Sequence, residues 1–282
     1  MEGSVLKEII ANTMYGGITK MKFRIILIIT IVILITSTPI YASTSMELKQ
    51  DEKYTSLDFN GDGKKDTFSY TYNRDDGGNA SLTLNGHTQK VFVARGTQIN
   101  YYMYSKTHIY LFIYMHLYGG GELHVYRYAG NKLKKVNGDI GILGPSHFDH
   151  ADEKYVFVES HPYRQSNIAS FKNYENNERT SFLFKYKLDT KNKKFTLATK
   201  YGTPVKKYNM TYKGKKFKTS DSAKSHNEKG LTLKNGMKVK LTKIYIIPET
   251  NSNGYKYYKC RFRIDCNGKY GWFDSSVDRP FE

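Results

Sequence analysis

After residue 43, apolar and polar positions alternate with a period of two, and the three-and-four spacing of an amphipathic helix is hard to find. Runs at 67–72, 80–84, 90–94, 108–114, 122–128, 154–158, 181–188 and 194–200 read as strands. Between them lie Asn85-Gly86, Gly130-Asn131 and Asp189-Thr190-Lys191-Asn192. Glycine and short polar side chains tolerate the backbone angles of a tight reversal, so each predicts a hairpin turn. Short strands at regular spacing predict an all-β fold, a sheet stack or part of a propeller. Residues 160–177 break the pattern and read as a polar loop or one short helix.

The N-terminus follows another pattern. Lys20, Lys22 and Arg24 precede residues 25–35, an apolar run interrupted only by Thr30; Pro39 and the sequence Ile40-Tyr41-Ala42 follow. A basic start, an apolar core and a small residue before Ser43 are the layout of a cleaved secretory signal. The competing reading is an uncleaved membrane anchor, but the apolar core is short of the roughly 20 residues that span a bilayer. Met21 reads as the natural start, with an extension upstream. The predicted organisation is a signal peptide at 1–42, a β-rich domain at 43–205, a lysine-rich linker at 206–229 and a compact unit of short strands at 230–282.

Composition sharpens this picture at three points. Aromatic residues make up 15% of the 282, led by 25 tyrosines, which favours strands and argues against disorder. The formal charge is +18, and residues 185–240 carry seventeen lysines against three acids, hence +14 of it. Such a block attracts polyanions, and for an exported chain these are teichoic acids or anionic lipid headgroups. Arginine, the residue of bidentate phosphate and base recognition, is absent from the block, which argues against a specific nucleic-acid partner. The competing reading is a solvated linker. Cys260 and Cys266 are the only cysteines. Six residues along one strand span roughly 20 Å, too far for a disulfide, so they read as free thiols unless a turn falls between them.

The sharpest chemical motif is Asp58-Phe59-Asn60-Gly61-Asp62-Gly63-Lys64-Lys65-Asp66. Oxygen-bearing side chains at Asp58, Asn60, Asp62 and Asp66, with the Lys64 carbonyl, suit the oxygen-only shell of calcium. The position that carries a bidentate glutamate in an EF-hand holds Ser69, and a strand rather than a helix follows. The motif resembles the loops of the FG-GAP and VCBS repeat families, which implies a structural calcium on a propeller-like blade. The segment from Gly119, GGGELHVYRYAGNKLKKVNG, is similar to a strand–turn–strand piece near such loops in secreted Firmicute proteins.

The C-terminal unit resembles bacterial SH3 domains. The resemblance is carried by residues 231–239, the strand 257–263, and Gly268-Lys269-Tyr270-Gly271-Trp272-Phe273. It implies a small barrel with a wall-binding groove near Tyr255, Tyr257, Tyr270 and Trp272, with packing as the competing role for these rings. His147, His150 and His161 with Asp149 and Asp152 have neither an HExxH frame nor a helix to carry one, so no catalytic residue is assigned. The sequence thus predicts an exported, calcium-stabilised, non-enzymatic envelope-binding protein held by peptidoglycan or teichoic acid. Its alternative is a cell-wall hydrolase targeted by the SH3-like unit.

Overall fold

The computed structural model describes residues 44–117, 120–136, 138, 140, 146–161, 172–173, 178–212, 214–250, 252, 254 and 256–274. The predicted signal segment, most of residues 160–177, and Tyr255 lie outside them. Residues 43–282 form one compact unit. All secondary structure among the described residues is β, in antiparallel sheets, and none of the sheets closes into a barrel.

The chain opens with β1 (Thr44–Leu48). A four-stranded sheet follows in chain order, β2 (Lys53–Tyr54), β3 (Phe68–Asn73), β4 (Asn79–Leu84) and β5 (His87–Phe92). Then β6 (Thr97–Ser105), β7 (His108–Leu117), β8 (Gly120–Ala129) and β9 (Lys132–Lys135) form a meander, which β1 joins beside β6. Next come β10 (Ser146–Ala151), β11 (Val156–Ser160), the small pair β12 (Lys172–Asn173) and β13 (Glu178–Arg179), β14 (Phe182–Asp189), β15 (Lys194–Leu197) and β16 (Tyr201–Pro204). Last are β17 (Tyr208–Tyr212), the pair β18 (Phe217–Lys218) and β19 (Thr232–Leu233), and the long strands β20 (Met237–Thr250), β21 (Lys256–Cys266) and β22 (Lys269–Asp274). A nine-stranded sheet runs β10-β11-β14-β16-β20-β21-β22, with β15 beside β14 and β17 beside β20.

The sheets stack in three layers, and the central one explains the most apolar strand. In β7, Tyr110, Phe112 and Tyr114 pack into the core shared with the nine-stranded sheet. Ile109, Leu111, Ile113 and Met115 pack oppositely, against Phe68, Tyr70, Leu82 and Leu84 of the four-stranded sheet. A strand covered on both faces reads as a continuous apolar run, and HIYLFIYMHL does so. The sheet-stack form of the all-β prediction is the one observed.

The separate barrel expected at 230–282 is not what forms. β20 pairs with β16 at Tyr201↔Tyr245 and with β17 at Tyr208↔Leu241, so the C-terminal strands extend a sheet that begins at β10. The physical reason is length: at 14 residues, β20 outruns any one partner and offers its second edge to both β16 and β17. β17 lies within the predicted linker, where Tyr208 and Tyr212 are buried by the same alternation that the surrounding lysines obscure. His147 and His150, read as lying in a loop, sit on β10. Cys260 and Cys266 are free thiols on one strand, and the turn falls after Cys266, at Asn267-Gly268 with φ of 47° and 77°.

Candidate functional site

Two places gather the residues singled out by sequence. The first is the loop from Asp58 to Asp66. Asp58 Oδ1 accepts from the N–H groups of Asn60 and Gly61 at 3.1 and 2.6 Å, and its Oδ2 from Gly63 at 2.8 Å. Asn60 Oδ1 accepts from Asp62 N at 2.9 Å, and Asp62 Oδ1 from Lys64 N at 2.8 Å. Each short side chain thus caps the backbone two or more residues ahead, the local bonding that Asp and Asn favour over regular structure. Gly61 and Gly63 adopt φ of 77° and 84°, where a side chain would be strained.

Asp66 closes the loop from inside. It is 3% exposed, and its Oδ2 accepts from Phe59 N at 2.7 Å and Asn60 N at 3.2 Å, while Oδ1 accepts from Asn85 Nδ2 at 2.6 Å. Phe59 stacks on Phe68 at 4.3 Å and meets Tyr101 edge-on at 5.1 Å. The Tyr101 hydroxyl donates to the Asp58 carbonyl at 2.9 Å. Burial, with Asp58 and Asp66 nearby, holds that hydroxyl far above its ordinary pKa, so it remains a donor. The loop therefore fastens the four-stranded sheet to the central one. Its donors are all oxygen, which fits a hard cation. Its carboxylates, however, face backbone N–H groups. Among the described residues no three His, Cys, Asp or Glu side chains are gathered as a metal group.

The second place is the outer face of the nine-stranded sheet. Register sets Lys243 beside Arg263 and Arg263 beside Trp272, with Asp265 opposite Tyr270 and Tyr201 opposite Tyr245. Tyr201, Lys243, Arg263, Tyr270 and Trp272, with Asp221 and Ala223 from a strap across the sheet, frame a shallow cavity of about 320 Å³. Tyr270 is 44% exposed and Tyr201 38%. Trp272 is 5% exposed and packs with Ala223, Tyr245 and Ile247, apart from the main core. The Arg263 guanidinium lies 4.1 Å from the centre of the Tyr270 ring, and its Nε and Nη2 donate to Asp265 at 2.9 and 3.1 Å.

The strap is held from below by Arg261, which is 1% exposed. Its Nη1 donates to the carbonyls of Ser222 and Ala223, each at 3.1 Å, and to that of Ser225; Nη2 donates to Ser220 Oγ at 2.9 Å. Its Nε lies 2.9 Å from Asp274 Oδ1 outside hydrogen-bond geometry, an ion pair without a formal hydrogen bond. Ser220 and Trp272 exchange backbone hydrogen bonds at 2.9 and 2.8 Å. Gly271 is required here, because a Cβ at that position would overlap Thr219 Oγ1.

Of the four rings predicted to form a groove, Tyr270 and Trp272 come together. Tyr257 is placed only as the strand partner of Glu249, and Tyr255 lies outside the described residues. Lys243, Arg263 and Tyr201 were missed. Counting back from the Asn267-Gly268 turn pairs Arg263 with Trp272, so that neighbour was available locally. Tyr201 arrives from a remote strand and left no local signal.

Of the histidines singled out by sequence, His147 and His161 lie with their rings 6.4 Å apart, and His150 pairs with Asp149 at the surface. His161 Nδ1 lies 3.2 Å from Ser181 Oγ, and its Nε2 lies 3.8 Å from Glu159 Oε1. Ser181, however, is 5% exposed, with its N–H donated to the Tyr208 hydroxyl at 3.0 Å. Burial pushes the His147 imidazole below its ordinary pKa, against the pull of Glu159.

Comparison with family models, with curated proteins and with solved structures gave no match to the chain.

Proposed function

We propose that this is an exported, non-enzymatic binding protein of the cell envelope, with the cavity between the strap and β20–β22 as its wall-binding surface. The observation that carries the reading is the pairing of two exposed rings, Tyr201 and Tyr270, with Lys243 and Arg263 around one cavity. Rigid aromatics offer contact area at little entropic cost, the Lys243 ammonium orients an acidic or polar group of a ligand, and Arg263, paired with Asp265, steadies the Tyr270 ring. Trp272 serves as the floor of the cavity, shielded by Ala223. Calcium is proposed at the loop, held by Asp58, Asn60, Asp62, Asp66 and the Lys64 carbonyl. There it would neutralise three carboxylates and stiffen the joint between two sheets. The hydrolase alternative has less support, because the Ser181 hydroxyl beside His161 is shut away from any acyl substrate.

Tyr201→Ala and Tyr270→Ala are each expected to weaken binding to purified peptidoglycan stripped of teichoic acid by about tenfold, the loss typical of an aromatic anchor. Unfolding midpoints should stay close to wild type in Tyr270→Ala and fall modestly in Tyr201→Ala, whose ring also packs on Tyr245 and Trp272. Unchanged binding in both variants would remove this cavity from the account.

A further inference from the structure

We propose that the outward lysine row of β20, formed by Lys238, Lys240 and Lys243, is a track for a phosphodiester polymer of the wall. This rests on the envelope reading above and names a second ligand, bound beside the aromatic cavity.

The row follows from the pleat. Val239, Leu241, Ile244 and Ile246 point into the main core, which leaves Lys238 and Lys240 on the outer face. Strict alternation would send Lys243 inward after Leu241. A β-bulge between Leu241 and Lys243 takes up Thr242 as the extra residue and returns Lys243 to the outer face. Three ammonium groups therefore follow one another along a single extended strand, with roughly 7 Å between the first two positions.

The row is uncompensated. Among the described residues, none of the three lysines enters an ion pair. The carboxylate opposite Lys240 is Asp265, and it is already taken by Arg263 at 2.9 and 3.1 Å and by the Thr242 hydroxyl at 2.8 Å. Beside the row lies a cavity of about 690 Å³ lined by Lys238, Lys240, Asn209 and Asn267, and by the Asp265 carboxylate that Arg263 neutralises. The lysine charges and amide donors suit phosphate oxygens. The cavity also carries no exposed large apolar side chain that could enter a lipid layer; among the described residues the exposed ones are Met46, Phe92, Tyr201, Val205 and Tyr270. A polymer fits this face better than a membrane surface. Lysines act as point charges and suit a flexible chain of phosphates, whereas arginine forks suit one fixed group. Lys243 also lines the aromatic cavity, so the two surfaces are continuous.

The test uses the chain from Ser43 onward, the compact unit, with purified poly(glycerol phosphate) as probe. Wild type is compared with Lys238→Gln/Lys240→Gln, both exposed and both outside the aromatic cavity. The double variant should bind the polymer at least about tenfold more weakly at low salt. The slope of log K against log salt should flatten by about 1.4, the counterion release of two contacts on a single-stranded polyanion. Equal affinity and slope in the two proteins would overturn the track. Equal or tighter binding to phosphatidylglycerol vesicles would overturn the choice of a polymer over a headgroup. Stripped peptidoglycan separates the two readings: wild type that binds it but not the polymer refutes the track alone, and failure on both refutes the envelope reading as well.

Discussion

Arg261→Met is expected to destabilise the fold by about 3 kcal/mol or more, the largest loss of any single substitution on the outer face. The methionine stem fills much of the arginine volume, so the deficit comes from hydrogen bonds rather than a void. Three carbonyls of the strap, at Ser222, Ala223 and Ser225, lose their donor together, as does Ser220 Oγ. Asp274 loses its cation. A carbonyl left buried without a partner costs about 1–3 kcal/mol, and these share one donor, so their costs do not simply add. The strap can recover part of the loss only by lifting into water. That movement uncovers Trp272, the single tryptophan of the chain, now 5% exposed. Equilibrium urea unfolding with fluorescence detection reads both effects: an earlier midpoint, and a red-shifted native emission before unfolding begins. A native spectrum and midpoint matching wild type would show that Arg261 does not hold the strap.

Asp66→Ala is the second large effect, expected at about 3 kcal/mol. The substitution strands the N–H of Phe59 in a buried loop, leaves the N–H of Asn60 only its bond to Asp58, and leaves the Asn85 amide without its acceptor. Phe59, 1% exposed between Phe68 and Tyr101, is positioned by that loop, so the core between two sheets loosens with it. The same variant separates scaffold from metal. Wild type should melt at a higher temperature in calcium than in EGTA, by the equivalent of about 2.7 kcal/mol when calcium stands at a hundred times its dissociation constant. In Asp66→Ala the calcium increment should vanish on top of the intrinsic loss. A wild-type melting temperature indifferent to calcium would remove the metal and leave Asp66 as a purely internal cap.

Much of this architecture could be read from the chain, and the omissions have physical causes. Alternation located β3, β4 and β14 to within one residue at each end, because each has one face toward a core and one toward more polar surroundings. Asn85-Gly86 turns with φ of 49° and 82°, as its sequence demands. β6 was invisible because its central residues are buried on both faces, so Ile99, Tyr101 and Tyr102 do not alternate with polar partners. β17 was hidden by lysines that flank it rather than interrupt its pattern. The pairing of β16 with β20 joins residues some forty positions apart, and no local rule encodes it. The candidate site divides the same way. Tyr270, Trp272 and the capping geometry of the aspartate loop are local features, legible from spacing. Tyr201, the strap and its buried arginine depend on long-range register.

The most direct test of the envelope-binding account is co-sedimentation of the chain from Ser43 onward with purified wall sacculi, with and without teichoic acid and across a salt series. The account predicts sedimentation with both preparations. The teichoic-acid-dependent part should fall steeply with salt, and the part on stripped peptidoglycan should persist and depend on Tyr201 and Tyr270. Protein that stays in the supernatant under every condition would contradict it.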